Sequence, residues 1–176
     1  MTESFLGDHT DYSGLGAPMF NAAAVSAIRG YCGWHIAPSM VLSGKVGSAG
    51  GKIIRIPALN VTEVTKLALA DDTDLLDGAQ WNADGLIELA VPVEPCLSGI
   101  EYTVTAGFNP DDVPDLITVA LQVSRRAASA PAGTVRSQSV NGASVSYAFS
   151  GSGATSVQLM QDEREILDRY RIARLP

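Results

Sequence analysis

A chain of 176 residues that is 46% hydrophobic is long enough and apolar enough to bury a real core, which excludes a protein disordered throughout. Its formal net charge of −7 disfavours a freestanding nucleic-acid binder, a class that carries a basic excess. Two cysteines, Cys32 and Cys96, are too few for a disulfide framework; they read as free thiols of a reducing compartment, with one long-range bridge left open.

Residues 1–17 are polar and glycine-rich and read as an arm that orders only against a partner. They lack the basic and apolar regions of a secretory signal, and no apolar run approaches the length of a membrane span. The chain is therefore expected to be made in the cytosol and used or assembled there. Pro18 to Tyr31 predicts an alanine-rich helix with Phe20, Ala23, Ala24, Ala27, Ile28 and Tyr31 on one face, closed by Gly30 or Gly33. From His35 the period becomes that of strands. Met40–Leu42 leads into a glycine-rich turn over Gly44–Gly51, followed by alternating runs at Lys52–Ile56 and Val61–Leu69. An acidic turn at Asp71–Asp74, an Asp84-Gly85 turn with strand Leu86–Leu89, and a last strand at Glu101–Ala106 complete the set. Short strands punctuated by turns predict an antiparallel sandwich or barrel, inserted over residues 35–108.

The strongest helix spans Asp112 to Ala130. Val113, Leu116, Ile117, Ala120, Leu121, Val123 and Ala127 form a wide apolar stripe. Asp112 is placed to cap it, Pro114 sits in the first turn, and Arg125 and Arg126 face the negative end of the helix dipole. Asn141-Gly142 between alternating runs predicts a β-hairpin over 135–149. A last helix is expected over Val157–Ile172, capped by Ser156, with Leu159, Ile166, Leu167 and Tyr170 as its stripe and Glu165 and Arg169 as an i,i+4 pair. The fold class is thus α+β. A small helical core (helices near 18–31, 112–130 and 157–172; residues 18–34 plus 109–176) carries the inserted β domain of 35–108 and the C-terminal-half hairpin.

No set of residues assembles an active site. His35 beside Cys32 and Trp34 reads as a packing corner, since adjacent positions rarely converge on one substrate. Asp71, Asp72, Asp74 and Asp77 do not match the spacing of an EF-hand calcium loop. Gly51-Lys52 is followed by Ile53 and a strand, which fails the phosphate-loop pattern. No catalytic residue, metal ligand or cofactor is assigned. Acid is concentrated between Glu63 and Glu94, with eight acidic residues against Lys66 alone. The basic features are Arg125, Arg126, Arg164, Arg169, Arg171 and Arg174. They read as dipole complement and solvated face, or as an interface for an acidic partner.

An ordered set of short motifs carries a resemblance. Tyr31-Cys32-Gly33-Trp34-His35-Ile36-Ala37-Pro38-Ser39 closes the first helix, and Ile54-Arg55-Ile56-Pro57-Ala58-Leu59-Asn60-Val61-Thr62-Glu63-Val64 follows the glycine-rich turn. Tyr102 to Phe108 precedes Val113-Pro114-Asp115-Leu116. Arg125-Arg126, Ser129-Ala130-Pro131, the Val/Ser-rich hairpin and Glu165 to Arg171 come last. From about residue 18 onward the chain resembles the head-to-tail adaptor (connector) proteins of long-tailed actinobacteriophages. That resemblance implies a structural virion protein, without catalysis, in a homo-oligomeric ring under the portal, a dodecamer by family resemblance. The implied partners are the portal protein, a head-tail stopper or next neck ring, and copies of itself. DNA would pass through the channel without specific binding, which the net negative charge favours, and no membrane is involved. The implied place is the virion neck, assembled in the bacterial host cytoplasm. The tail residues Tyr170, Arg171, Ile172, Arg174 and Leu175 are the expected portal interface, and Arg125, Arg126, Val145 and Tyr147 are the ring-interface candidates. Another neck protein, a head-completion or stopper protein, is the nearest alternative. A ligand-binding β module using Trp81 and Tyr102, or a hydrolase using Cys32, stands further off.

Overall fold

The computed structural model describes residues 17–129, 137–140, 143–146 and 157–172. Helix α1 (Ala17–Cys32) turns Asn21, Ala24, Val25, Ile28 and Cys32 inward, a three-four spacing that makes one helix face. That face is rotated from the expected one: Ala23, Ala27 and Tyr31 are only half-buried, while Val25 and Cys32 are in the core. Gly33 at φ 83° ends the helix, its N–H bonded to the Arg29 carbonyl at 2.8 Å.

Six strands follow: β1 (Met40–Ser48), β2 (Gly51–Arg55), β3 (Val61–Leu69), β4 (Gln80–Trp81), β5 (Leu86–Val93) and β6 (Cys96–Ala106). They form two three-stranded antiparallel sheets, ordered β1-β6-β3 and β2-β5-β4. The expected turn over Gly44–Gly51 is instead mostly strand, with β1 running on to Ser48. Glycine at 44 makes this possible, because a Cβ there would lie 2.7 Å from the Tyr102 hydroxyl across the ladder. The chain reverses only at Ala49-Gly50. In β3 the simple alternation fails too. Register shifts at Val61/Glu63 and Val64/Lys66 re-aim the strand, so Val61, Val64 and Leu67 all turn inward.

A 3-10 turn (Pro110–Asp112) leads into helix α2 (Pro114–Ser129). Asp112 therefore does not cap the helix. The residue before a proline is pushed out of the helical region, and Val113 sits at φ −128°, ψ 55°, so α2 starts at Pro114. Of the expected stripe of α2, Val113, Leu116, Ala120, Val123 and Ala127 are buried and Ile117 and Leu121 half-buried, and Val119 and Ser124 join it. Strands β7 (Ser137–Val140) and β8 (Ala143–Ser146) pair antiparallel with Val140 opposite Ala143, while Asn141-Gly142 and the rest of the expected hairpin lie outside the described residues. The last helix is shorter than expected: α3 spans Gln161–Leu167 and tightens into a 3-10 turn at Asp168–Tyr170. Residues of α1, α2, α3, the 3-10 turn after it and both sheets enter one buried hydrophobic cluster.

Candidate functional site

Of the residues singled out by sequence, Arg126, Tyr170, Arg171 and Ile172 meet at the docked C-terminal segment, 157–172. The helix start there is set by Arg126. Its guanidinium grips the Glu163 carboxylate with two hydrogen bonds, 2.7 and 2.9 Å, and donates to the Gln158 carbonyl at 2.9 Å. The same carboxylate accepts the Met160 N–H at 2.7 Å. Residues 158–160 are thereby held outside the helix and Met160, extended at ψ 166°, takes the cap position expected of Ser156. Glu163 is 5% exposed. Burial pushes its carboxyl up, but the Arg126 guanidinium and the Met160 amide outweigh that and hold it below the usual glutamate range. Arg126, expected at a ring interface, is thus a clamp within the chain. Arg125 is exposed on the other flank of α2. Val145 lies in β8, its side chain outside the described residues, and Tyr147, Arg174 and Leu175 lie outside them altogether.

Tyr170, expected in the tail interface, belongs instead to the fold's own core. It is 7% exposed, its hydroxyl donates to Asp115 at 2.7 Å, and its carbonyl accepts the Trp34 indole N–H at 2.6 Å. Its ring stands edge-on to Phe108 at 5.4 Å, and Phe108 stands edge-on to Trp34 at 6.2 Å. These three aromatics join the residue that enters the β strands, the residue that leaves them and the C-terminal segment. Arg169 pairs with Asp115 rather than with Glu165, which accepts from Gln161 at 3.1 Å. Tyr31 donates to Asp168 at 2.6 Å, and the Arg171 guanidinium lies 5.2 Å above the Tyr31 ring. Ile172, half-buried, donates its N–H to the Cys32 carbonyl at 3.0 Å. Tyr170, Arg171 and Ile172 are therefore brought together, but against α1 and α2 of their own chain.

The corner at 33–39 is a packed seam. Arg29 donates to the carbonyls of His35 (2.9 Å) and Ala37 (2.8 Å), and His35 Nε2 bonds the Pro38 carbonyl at 2.7 Å. Phe108 N–H reaches the Ile36 carbonyl at 2.8 Å. Gly107, at φ 116°, lies so close that a Cβ would meet the Pro38 carbonyl oxygen at 2.8 Å. Cys32 is fully buried, and burial, aided by the Asp168 charge, pushes its thiol up to about 12. Burial and the raised thiol both disfavour a thiolate nucleophile there. Asp71 and Asp74 accept the backbone N–H groups of Thr73 (3.1 Å) and Leu76 (2.8 Å), the work of turn caps. Among the described residues no group of three or more His, Cys, Asp or Glu side chains is placed to hold a metal. Trp81 and Tyr102 lie in different sheets and Tyr102 is 9% exposed, so they form no shared aromatic platform.

Sequence reasoning missed the anchors of this segment: Asp115, Glu163, Trp34 and Phe108. Asp115 stands 55 residues from its partner Tyr170, a separation at which no local signal exists. The internal Arg126–Glu163 pair was accessible in principle, as a buried-face acid opening a helix, but only once the register of α3 was known.

No family model matches the chain, and no curated protein matches it. Among solved structures it is similar to chains described as "Neck of native GTA particle computed with C12 symmetry" and "Neck of empty GTA particle computed with C6 symmetry". Identity is 19% in each, with TM-scores of 0.56 and 0.57, over 97% of this chain and 88% of theirs. A third, "Virion of native gene transfer agent (GTA) particle", matches at 19% identity and TM-score 0.54 over 98% of this chain and 88% of that one. The chain shares its fold along nearly its whole length with chains of these gene transfer agent structures.

Proposed function

We propose that the protein is a structural neck component of a phage or phage-like particle. Its role is that of head-to-tail adaptor, forming a homo-oligomeric ring under the portal around the DNA channel. The observation that supports this most strongly is the match of fold over 97% of the chain with neck chains of a particle treated with twelve-fold symmetry. The order of motifs from Tyr31 to Arg171 supports the same reading. A ring needs two different contact faces on each copy. Exposed apolar residues on the β strands, Ile53 (65%), Val91 (58%) and Leu97 (97%), are candidates for one of them, and Arg125 on α2 for another. Of the expected portal-facing tail, Arg171, Arg174 and Leu175 remain in that role. Tyr170 and Ile172 instead seat the segment on its own chain, Ile172 beside Cys32.

Co-sedimentation of the purified chain with portal rings from the same particle tests this role. A saturable complex, visible as an added ring beneath the portal in negative stain, is expected. A chain that ignores portal rings yet binds the assembled tail would instead favour the stopper reading.

A further inference from the structure

The middle strands β6 and β5 leave β1 and β3 at the edges of one sheet and β2 and β4 at the edges of the other. The reversal at Ala49-Gly50 joins β1 to β2 on one side of the strand-rich body, and residues 70–79 join β3 to β4 on the opposite side. The two sides differ in charge. Residues 36–60 carry Lys45, Lys52 and Arg55 and no acid, whereas residues 61–81 carry Glu63, Asp71, Asp72, Asp74 and Asp77 against Lys66 alone. Lys45 already has Glu101 at 2.8 Å. Among the described residues the cations of β2 have no such partner. Lys52 donates to the neutral Ala90 carbonyl at 2.8 Å, and Arg55 forms no ion pair, its buried Nε meeting no acceptor. Between them Ile53 is 65% exposed, and Val41 on β1 is exposed too. Edge lysines ordinarily guard a strand against pairing with another chain, but a guarded edge is not also apolar. On the opposite side residues 73–75 fold back along β3. Leu69 N–H donates to the Thr73 carbonyl at 2.9 Å and Leu75 N–H to the Leu67 carbonyl at 2.8 Å, and the four aspartates of the turn are exposed.

We propose that the β1–β2 side of one copy of this chain receives the acidic 71–77 turn of the next copy, which rests on the ring reading above and names its two surfaces. A head-to-tail contact needs two different patches that complement each other, and a ring needs them on different sides of the same subunit. The basic, apolar-centred edge and the acidic turn meet both conditions. Lys52 and Arg55 supply the charge that the turn lacks, and Ile53 loses its exposed surface in the contact. Asp71 and Asp74 hold the turn's shape through the N–H groups of Thr73 and Leu76. Asp72 and Asp77 are left to face the neighbour's cations. Opposed charge of this kind fixes register and suppresses contacts between like sides.

Sedimentation velocity on the full chain, alone and with portal rings added, tests the proposal. Lys52→Glu with Arg55→Glu should weaken self-association at least about tenfold. Asp72→Asn with Asp77→Lys should do the same; Asp72 lies at φ 64°, a backbone that Asn tolerates. Ile53→Glu, at an exposed position, gives a third reading should Arg55→Glu disturb the fold, and circular dichroism checks each variant. Mixing the first two variants should restore one intact contact and give a one-to-one pair but no ring, since each supplies the side the other has lost. Rings that persist in both charge variants would overturn the proposal and leave the ring reading standing. So would loss of duplex DNA binding in Lys52→Glu with Arg55→Glu while its rings persist, which would assign the basic side to the channel. An unaltered chain that does not self-associate in either condition would overturn both readings.

Discussion

The Arg126–Glu163 pair shows how one contact sets both position and pH response. Glu163 is nearly inaccessible and Arg126 partly so, and three hydrogen bonds converge on one carboxylate. Arg126→Ala leaves that carboxylate without its cation and should lower stability by about 1–3 kcal/mol, measured by urea unfolding. The folded-state carboxyl titrates below its ordinary value of 4.5. Its contribution is therefore fully present above about pH 4.5 and is lost as pH falls through the lowered value. Glu163→Gln should flatten the decline of melting temperature below that pH; parallel curves for the two proteins would show that the pair carries no linkage. Cys32 offers a second check at this scale. Its thiol is buried and raised to about 12, whereas Cys96 is half-buried. A thiol reagent near pH 8 should modify Cys96 and reach Cys32 only on unfolding.

At the scale of elements, α3 is the informative piece. Seven residues are too few for a helix to stand alone, so its existence depends on docking through Leu159, Glu163, Leu167 and Tyr170. Leu167→Ala, at a fully buried site, should cost about 2–5 kcal/mol and remove the segment's amide protection before that of α2. Equal loss across all elements would show that α3 is not separately seated. The same element shows what was legible beforehand. The stripe of α2 and the existence of five of the six strands before it, all but the two-residue β4, could be read because each depends on neighbours a few residues away. So could the pairing of β7 with β8. The start of α3 could not, because it is fixed by Arg126 on another helix. The bulges of β3 and the continuation of β1 through Gly44 were hidden for the same reason, since both are settled across the ladder by β6. The packing of Tyr170 on its own chain was hidden because an amphipathic run looks the same whether its apolar side meets its own chain or another.

For the whole molecule, the helices and sheets share one core, and the aromatic contact of Trp34, Phe108 and Tyr170 ties the two ends of the strand-rich stretch to the C-terminal segment. A body of this kind can present rigid, different surfaces to neighbours. Removing residues 173–176 should leave the circular dichroism spectrum and melting temperature unchanged and abolish association with portal rings. Loss of fold on that truncation would make the end part of the core rather than an interface. The most direct measurement is a reconstruction of the intact particle in which this chain is traced and its copies counted. The account predicts a single ring at the neck, against the portal, with α3 seated on α1 and α2 of its own subunit. Density for the chain in the capsid shell or along the tail tube would contradict it.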